Sequence, residues 1–271
     1  MATQYLAGPA MPMAAIPAMA NDPATDCTEF LDFRFSRCPR TDVIRQIEAR
    51  PGDAHFAYVV TPNVDHVVRI QRNRSDLWPV YRHAWMTLCD SRILGWLAII
   101  NGLSLSILSG SDLTAALFRE IVKPDDRIAV LGGAPASVRK LSDRFGLANV
   151  AHYNPPMGFI HDPAEVAKAV AFIVESHARF TFIAVGSPQQ ECIARAVENH
   201  ASATGIGLCI GASLDFLTGD QTRAPRLVQK LSLEWMFRLL SNPARMWRRY
   251  LVEGPQILLV VQYWRRARAH G

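Results

Sequence analysis

Short apolar runs alternate with longer segments of helical periodicity along most of the chain. Seven runs have the length and composition of β-strands, at residues 30–35, 56–61, 86–89, 127–131, 150–153, 180–185 and 206–210. Seven helical segments accompany them, near residues 40–50, 64–72, 91–101, 112–122, 136–145, 163–177 and 188–200. Several runs are apolar at nearly every position, which is typical of strands buried on both faces. The alternation predicts an α/β fold with a mostly parallel, Rossmann-like sheet and helices on both faces.

Composition divides the chain into three parts. Residues 1–27 are rich in Ala, Pro and Met, and their repeated prolines interrupt any helix, so we expect a disordered leader. Residues 28–222 carry the alternating pattern and form the predicted α/β core. Residues 223–271 are expected to form a basic, amphipathic, helical C-terminal appendage.

The charge is concentrated at the C-terminal end. Residues 223–271 hold ten Lys and Arg against two Glu, a net charge of +8, whereas the whole chain has +5, which leaves −3 for residues 1–222. Tyr263 and Trp264 stand beside Arg265 and Arg266, and aromatic and basic side chains together suit the headgroup layer of an anionic membrane. The apolar run at residues 257–261 falls short of the roughly 20 residues that span a bilayer.

These features predict a cytoplasmic protein attached peripherally to the inner face of the plasma membrane. The five cysteines are odd in number and none stands in a C-x-x-C pair, which favours a reducing compartment and no structural zinc. A hydrophobic content of 49% excludes a chain that is disordered throughout.

Polar side chains that could bind a ligand or transfer a proton stand where predicted strands end or helices begin. Thr61 and Asn63 follow the second strand, Asp90 follows the third, and Gln190 opens a helix after the sixth. Asp112 begins the helix that precedes the fourth strand. Ligands of parallel sheets bind at the carboxyl ends of the strands, so Thr61, Asn63, Asp90 and Gln190 are candidate substrate ligands. Asp112, at a helix start, is a fifth candidate. Asp90 is also the candidate general base, because a carboxylate can take a proton from an attacking hydroxyl.

Four of these residues also have a purely structural interpretation. Asp90, Asp112 and the pair Thr61 and Asn63 can cap the helices that follow them, since Asp, Asn and Thr are favoured capping residues. The segment Leu-Gly-Gly-Ala-Pro at residues 131–135 is either a phosphate-binding loop or a tight turn from strand to helix. The sequence holds no D-x-D pair and no H-x-x-x-H pair, so we expect neither a metal ion nor another cofactor.

Several longer motifs occur together towards the C-terminus: DFLTG at 215–219, RAP at 223–225, LEWMFRL at 233–239 and NPARMWRRY at 242–250. With TPN at 61–63, GSD at 110–112 and PQQE at 188–191, they resemble the WecG/TagA/CpsF glycosyltransferases, also called glycosyltransferase family 26. The resemblance covers roughly residues 30–264. Members of this family transfer a sugar from a nucleotide sugar to a polyprenyl-diphosphate-linked acceptor.

The resemblance implies an inverting glycosyltransferase. It would move a hexose-type sugar from a UDP-sugar to a polyprenyl-diphosphate-linked acceptor in exopolysaccharide or cell-surface polysaccharide biosynthesis, with a possible homo-oligomer. Asp90 would be the catalytic base. Arg238, Arg245 and Arg248 are spaced seven and three apart, which predicts one helical face, and they match family positions that complete the site over the donor.

Three positions depart from the family pattern. Ser91 follows Asp90 where Gly is usual, Gln189 replaces a Lys, and Leu108 stands where a basic residue is common. These departures leave the identity of the donor sugar open. The alternative function is a basic nucleic-acid- or membrane-binding protein without catalysis, although no nucleic-acid motif appears and we expect no nucleic-acid partner.

Overall fold

The computed structural model describes residues 26–222, 224–225, 228 and 234–269. Its central sheet has six strands, all parallel, in the spatial order β4-β3-β8-β7-β5-β6. These strands are β3 Ala57–Val60, β4 Met86–Thr87, β5 Arg127–Leu131, β6 Asn149–Tyr153, β7 Phe180–Ile183 and β8 Ile206–Cys209. The predicted α/β class with a parallel sheet is confirmed.

The prediction of a single strand at residues 30–35 is wrong. This segment is the middle of an antiparallel hairpin formed by β1 Cys27–Phe30 and β2 Phe33–Ser36, which make a separate two-stranded sheet. Leu31 and Asp32 form its two-residue turn with φ of 52° and 63°, and positive φ at both positions is what so tight a turn requires. β1 begins at Cys27, the last residue of the predicted leader, and residues 1–25 lie outside the described part of the chain.

The helices lie in two layers around the sheet. Nine of them belong to the core: α1 Arg40–Ala49, α2 Val64–Arg72, α3 Trp78–Arg82, α4 Arg92–Ile100, α5 Gly110–Glu120, α6 Pro135–Phe145, α7 Pro163–Ser176, α8 Gln189–Glu198 and α9 Ser213–Thr218. The short helices α3 and α9 have no counterpart in the sequence prediction. Single 3₁₀ turns lie at Ser75–Leu77 and Phe159–His161.

Both faces of the sheet are buried, and neighbouring residues of one strand face opposite layers. Tyr58 and Val60 belong to one apolar cluster with residues of α2, α7 and α8, whereas Val59 belongs to a second cluster with residues of α1, α5 and α6. This alternation follows from the two-residue period of a strand. It explains why the central runs are apolar at almost every position.

The C-terminal segment is a series of short helices. They are α10 Glu234–Ser241, α11 Pro243–Trp247, a π-helical turn over Arg248–Glu253, a 3₁₀ turn over Gly254–Gln256 and α12 Ile257–Ala269. The prediction that Arg238, Arg245 and Arg248 share one continuous helical face is therefore wrong. Pro243 begins a new helix, because proline has no N–H group for the preceding turn and favours the first helical position.

The last helix, α12, packs onto the core. Ile257, Val260 and Val261 are buried in the same cluster as the apolar residues of α2. Trp264 meets the edge of Phe30 with ring centroids 5.2 Å apart. The sequence-based assignment of Trp264 to a membrane headgroup layer is therefore replaced by core packing. Among the helices of the described residues, none is both long and apolar enough to cross a membrane.

The burial pattern of α12 gives a stability test with a matched control. Ile257→Ala should lower the free energy of unfolding by about 2–5 kcal/mol, because it removes a buried aliphatic side chain and leaves a cavity. The adjacent Leu258 is 63% exposed, so Leu258→Ala should change it by less than about 0.5 kcal/mol. Urea denaturation measures both. Equal effects of the two substitutions would show that α12 does not pack as described.

Candidate functional site

A cleft of about 680 Å³ lies between the core and the C-terminal segment. The core contributes loops that follow β3 and β4 and the start of α5, which bring Asn63, Asp90 and Asp112 into its wall. The opposite wall comes from the C-terminal segment and includes Trp235 and Tyr250, whose ring centroids are 6.1 Å apart. Three of the predicted site residues therefore line one cavity.

Backbone pairing beyond the end of β4 positions Asp90. The N–H of Leu88 donates to the carbonyl of Val60 at 2.9 Å, and the N–H of Asp90 donates to the carbonyl of Pro62 at 3.1 Å. The side chain of Ser91 accepts a hydrogen bond from the N–H of Leu94 at 3.2 Å and so caps α4. The alternative interpretation of Asp90 as the helix cap is therefore wrong, since its neighbour takes that role.

Asn63 does cap a helix, as its structural interpretation predicted, and it also lines the cleft. Its Oδ1 accepts a hydrogen bond from the N–H of Asp65 at 3.1 Å at the start of α2. The backbone N–H of Asn63 donates to Nδ1 of His66 at 3.2 Å and so completes a capping box. The side chain of Asn63 is thereby oriented by Asp65, and its backbone is held by His66 in the same helical turn.

Asp112 and Ser109 form a reciprocal cap at the start of α5. Ser109 Oγ accepts a hydrogen bond from the N–H of Asp112 at 3.1 Å and donates one to its Oδ2 at 2.7 Å. The exposed Asp112 is therefore anchored while it lines the cleft. Thr61 does not line the cleft. A Cβ added to Gly110 would lie 3.0 Å from Oγ1 of Thr61, so the start of α5 is in close contact with Thr61.

Gln190 is buried and does not line the cleft. Its Oε1 accepts a hydrogen bond from the N–H of Gly211 at 2.8 Å, and its Nε2 donates to Glu191 Oε1 at 2.8 Å. The side chain thus joins the first turn of α8 to the loop after β8. In this structure both ends of the amide are used in that connection.

The arginines of the C-terminal segment differ in where they point. Arg248 is 75% exposed, pairs with Glu253 at 3.3 Å and does not line the cleft. The next residue, Arg249, is 32% exposed, lines the cleft and pairs with Asp65 of α2 at 3.3 Å. The side chains of Arg238 and Arg245 lie outside the described part of the structure.

A buried polar pair lies beneath the Asn63 cap. His66 Nε2 is 3.7 Å from Glu191 Oε1, and both side chains are almost fully inaccessible to solvent. Burial lowers the pKa of His66 well below its ordinary value, and the nearby Arg69 and Arg249 lower it further. Burial also raises the pKa of Glu191, against the opposing effect of the hydrogen bond from Gln190. Low dielectric thus favours the neutral form of each partner.

The sequence prediction missed the polar pairs that join distant parts of the chain. Asp65 and Arg249 meet across the cleft, and His66 and Glu191 meet beneath it, although each pair is separated by more than a hundred residues. No local spacing indicates such a contact. Among the residues that the structure describes, no group of three or more His, Cys, Asp or Glu is placed to hold a metal ion.

Comparison with known proteins identifies the family. The sequence profile of the Glycosyl transferase WecG/TagA/CpsF family matches residues 28–270. The chain belongs to this family. One relative, from Bacillus spizizenii, is described as N-acetylglucosaminyldiphosphoundecaprenol N-acetyl-beta-D-mannosaminyltransferase and is 30% identical over 164 residues. The match covers 59% of this chain and 61% of that relative, so the chain spans less than two thirds of the relative's length.

Two departures from the WecG/TagA/CpsF pattern have a structural counterpart. Leu108, at a position where a basic residue is common, is buried in the apolar core, and Ser91 is the cap of α4. The segment at residues 131–135 is a tight turn, as its structural interpretation predicted. A Cβ at Gly132, where φ is +91°, would lie 2.9 Å from the backbone of Ala184. Neither Gly132 nor Gly133 lines the cleft.

The buried Glu191 predicts a specific pH dependence of stability. Because its folded-state pKa is raised, the unfolded chain loses its proton at a lower pH, and wild-type stability decreases as pH rises above the ordinary Glu value of about 4.3. Glu191→Gln needs no proton to stay neutral. Its free energy of unfolding, relative to wild type, should therefore rise between pH 4.5 and 8, by about 1.4 kcal/mol for each unit of pKa shift.

Urea denaturation across this pH range measures the difference. Glu175→Gln, at an exposed residue of α7, controls for the replacement of a carboxylate by an amide. A difference between Glu191→Gln and wild type that does not vary with pH would contradict a buried, neutral carboxyl group.

Proposed function

We propose that this protein transfers a sugar, with inversion, from a UDP-sugar to a polyprenyl-diphosphate-linked acceptor during synthesis of a bacterial surface polysaccharide. The observation that carries the proposal is the cleft, in which Asn63, Asp90 and Asp112 of a WecG/TagA/CpsF family core face the C-terminal segment. The name of the Bacillus relative suggests the finer assignment of an acceptor that ends in N-acetylglucosamine. A role in exopolysaccharide synthesis is part of the same proposal.

Asp90 is proposed as the general base. Its carboxylate takes the proton of the acceptor hydroxyl while that oxygen attacks the anomeric carbon of the donor, and the bond from this carbon to the diphosphate breaks on the opposite side. The backbone hydrogen bond to Pro62 holds Asp90 independently of its side chain. A carboxylate that lines the cleft at the end of a strand suits this task.

The remaining residues are proposed to bind substrate or to hold the loops that do. Asn63 and Asp112 offer an amide and a carboxylate to sugar hydroxyl groups, and both are fixed by their helix caps. Thr61 and Gln190 are proposed to hold loops near the cleft in place. Thr61 packs against Gly110, and Gln190 accepts a hydrogen bond from the N–H of Gly211. The donor-binding role of Arg238, Arg245 and Arg248 stays a prediction from the family resemblance.

We further propose that the protein works on a membrane surface. Large apolar side chains are exposed on two helices next to the cleft, namely Trp96, Ile99 and Ile100 on α4 and Leu258, Leu259 and Tyr263 on α12. These helices are neighbours, since the side chain of Arg265 donates a hydrogen bond to that of Asn101 at the end of α4. Exposed apolar side chains beside arginines suit an anionic bilayer that holds the polyprenyl chain. The same surface favours a membrane over a nucleic acid as the partner.

Replacement of the proposed base tests the reaction. Asp90→Asn keeps the shape of the side chain and removes its basicity, so kcat should fall about 100-fold or more while UDP affinity stays within a few-fold. Turnover is measured with a panel of UDP-sugars and polyprenyl-diphosphate-linked acceptors. Asp143→Asn, on the exposed face of α6, controls for the loss of one carboxylate. Near-normal turnover by a folded Asp90→Asn protein would exclude Asp90 as the base.

Substitutions on the outer face of α12 test the membrane surface without disturbing the core. Leu259→Ser combined with Tyr263→Ser should weaken binding to phosphatidylglycerol vesicles about tenfold or more, since each loses apolar area that would enter the bilayer. Cosedimentation with the vesicles measures this. Met157→Ser, at a fully exposed methionine that does not line the cleft, is the control. Unchanged binding by the double variant would place the membrane contact elsewhere.

A further inference from the structure

The cleft is lined by several carboxylates, so binding a diphosphate there requires positively charged side chains. Asp65, Asp90 and Asp112 all line it, and a diphosphate would add negative charge to these three carboxylates. Among the described lining residues, the arginines are Arg92 at the start of α4 and Arg249 in the C-terminal segment. Charge-assisted hydrogen bonds from arginine are the strong contacts by which proteins hold diphosphates without a metal ion.

Arg249 is placed in the cleft by the local helix geometry. The helix break at Pro243 and the π-helical turn that begins at Arg248 set the direction of each side chain in this part of the segment. As a result, Arg248 points to solvent and pairs with Glu253, whereas Arg249 points towards α2. A π-helical turn changes which residues share a face, and such turns are frequent at functional sites.

Asp65 holds Arg249 in this position. Its Oδ2 is 3.3 Å from Nη2 of Arg249 and 3.6 Å from Nη1 of Arg69, so one carboxylate is shared by two guanidinium groups. Asp65 is itself fixed, because its N–H donates to the side chain of Asn63 at the start of α2. The pair therefore joins the core directly to the C-terminal segment and leaves an excess of positive charge.

The guanidinium group of Arg249 has donors that Asp65 does not use. Its Nε is buried and has no hydrogen-bond partner among the described residues, and the group lies over the ring of Tyr250 at 5.8 Å from the centroid. An unpaired buried donor is costly, so a ligand oxygen that accepts from this guanidinium stabilises the complex. The planar group can contact Asp65 with one edge and an oxyanion with another.

We propose that Arg249, positioned by Asp65, is a residue of the C-terminal segment that binds the diphosphate of the donor, and that the Asp65–Arg249 pair fastens this segment across the cleft. Arg249 is then a substrate-binding residue and Asp65 a positioning residue. The inference rests on the proposed function, because it takes the ligand to be a nucleoside diphosphate. It differs from the family-based assignment of Arg248, which points away from the cleft.

Equilibrium binding of UDP to the full-length protein, measured by calorimetry, tests the inference. Arg249→Ala should weaken UDP binding about tenfold or more, since it removes charged hydrogen bonds. Arg248→Ala should retain clearly tighter binding than Arg249→Ala. Arg139→Ala, on the exposed face of α6, controls for the loss of one positive charge. Equal losses for the two neighbouring arginines, or no loss for Arg249→Ala, would overturn the inference.

The positioning role of Asp65 has a separate readout. Asp65→Asn should weaken UDP binding about threefold or more in the wild-type background and have little effect in the Arg249→Ala background, which a double-mutant cycle detects. If Arg249→Ala does not fold, Arg249→Lys and Asp65→Asn carry the test, and undiminished UDP binding by both would overturn the inference. Absence of UDP binding by the wild-type protein would instead contradict the proposed donor.

Discussion

The burial of three aliphatic side chains of α12, Ile257, Val260 and Val261, decides where the C-terminal segment lies. Their contact with the cluster around α2 brings the end of the chain back over the carboxyl edge of β3 and β4. The apolar area removed from water is the main source of stability for such a contact. Because the second wall of the cleft belongs to this segment, the cleft itself depends on this packing.

The position of α12 also changes how the basic end of the chain is understood. A free amphipathic tail could dock on a membrane with all of its apolar residues. Here one face of α12 packs on the core, so Leu258, Leu259 and Tyr263 on its other face are the side chains left exposed for the proposed membrane contact. If the protein binds a bilayer as proposed, attachment and the second wall of the cleft both depend on this helix.

Polar contacts beneath the cleft connect its parts to one another. The side chain of Asn63 accepts from the N–H of Asp65, and the N–H of Asn63 donates to the ring of His66. The other ring nitrogen of His66 lies 3.7 Å from the carboxyl group of Glu191. Gln190 continues the series to the loop after β8. The candidate substrate ligands on the core side are thus supported by buried groups, which limits their motion and reduces the cost of ordering them when substrate binds.

Patterns along the chain predicted the parallel α/β fold, the boundaries of the seven main helices to within a few residues, and the position of Asn63 and Asp90 at one edge of the sheet. These follow from apolar periodicity and from the rule that parallel strands end together, both of which are local or topological. Two features could be recognised only from the three-dimensional structure: residues 30–35 turn back as a hairpin, and Ser91 rather than Asp90 caps α4. The three-dimensional structure was also needed to show that Arg249, and not Arg248, faces the cleft. The direction of Arg249 depends on a proline break, a π-helical turn and the burial of α12, and its partner Asp65 is distant in sequence, so no local pattern could reveal their contact.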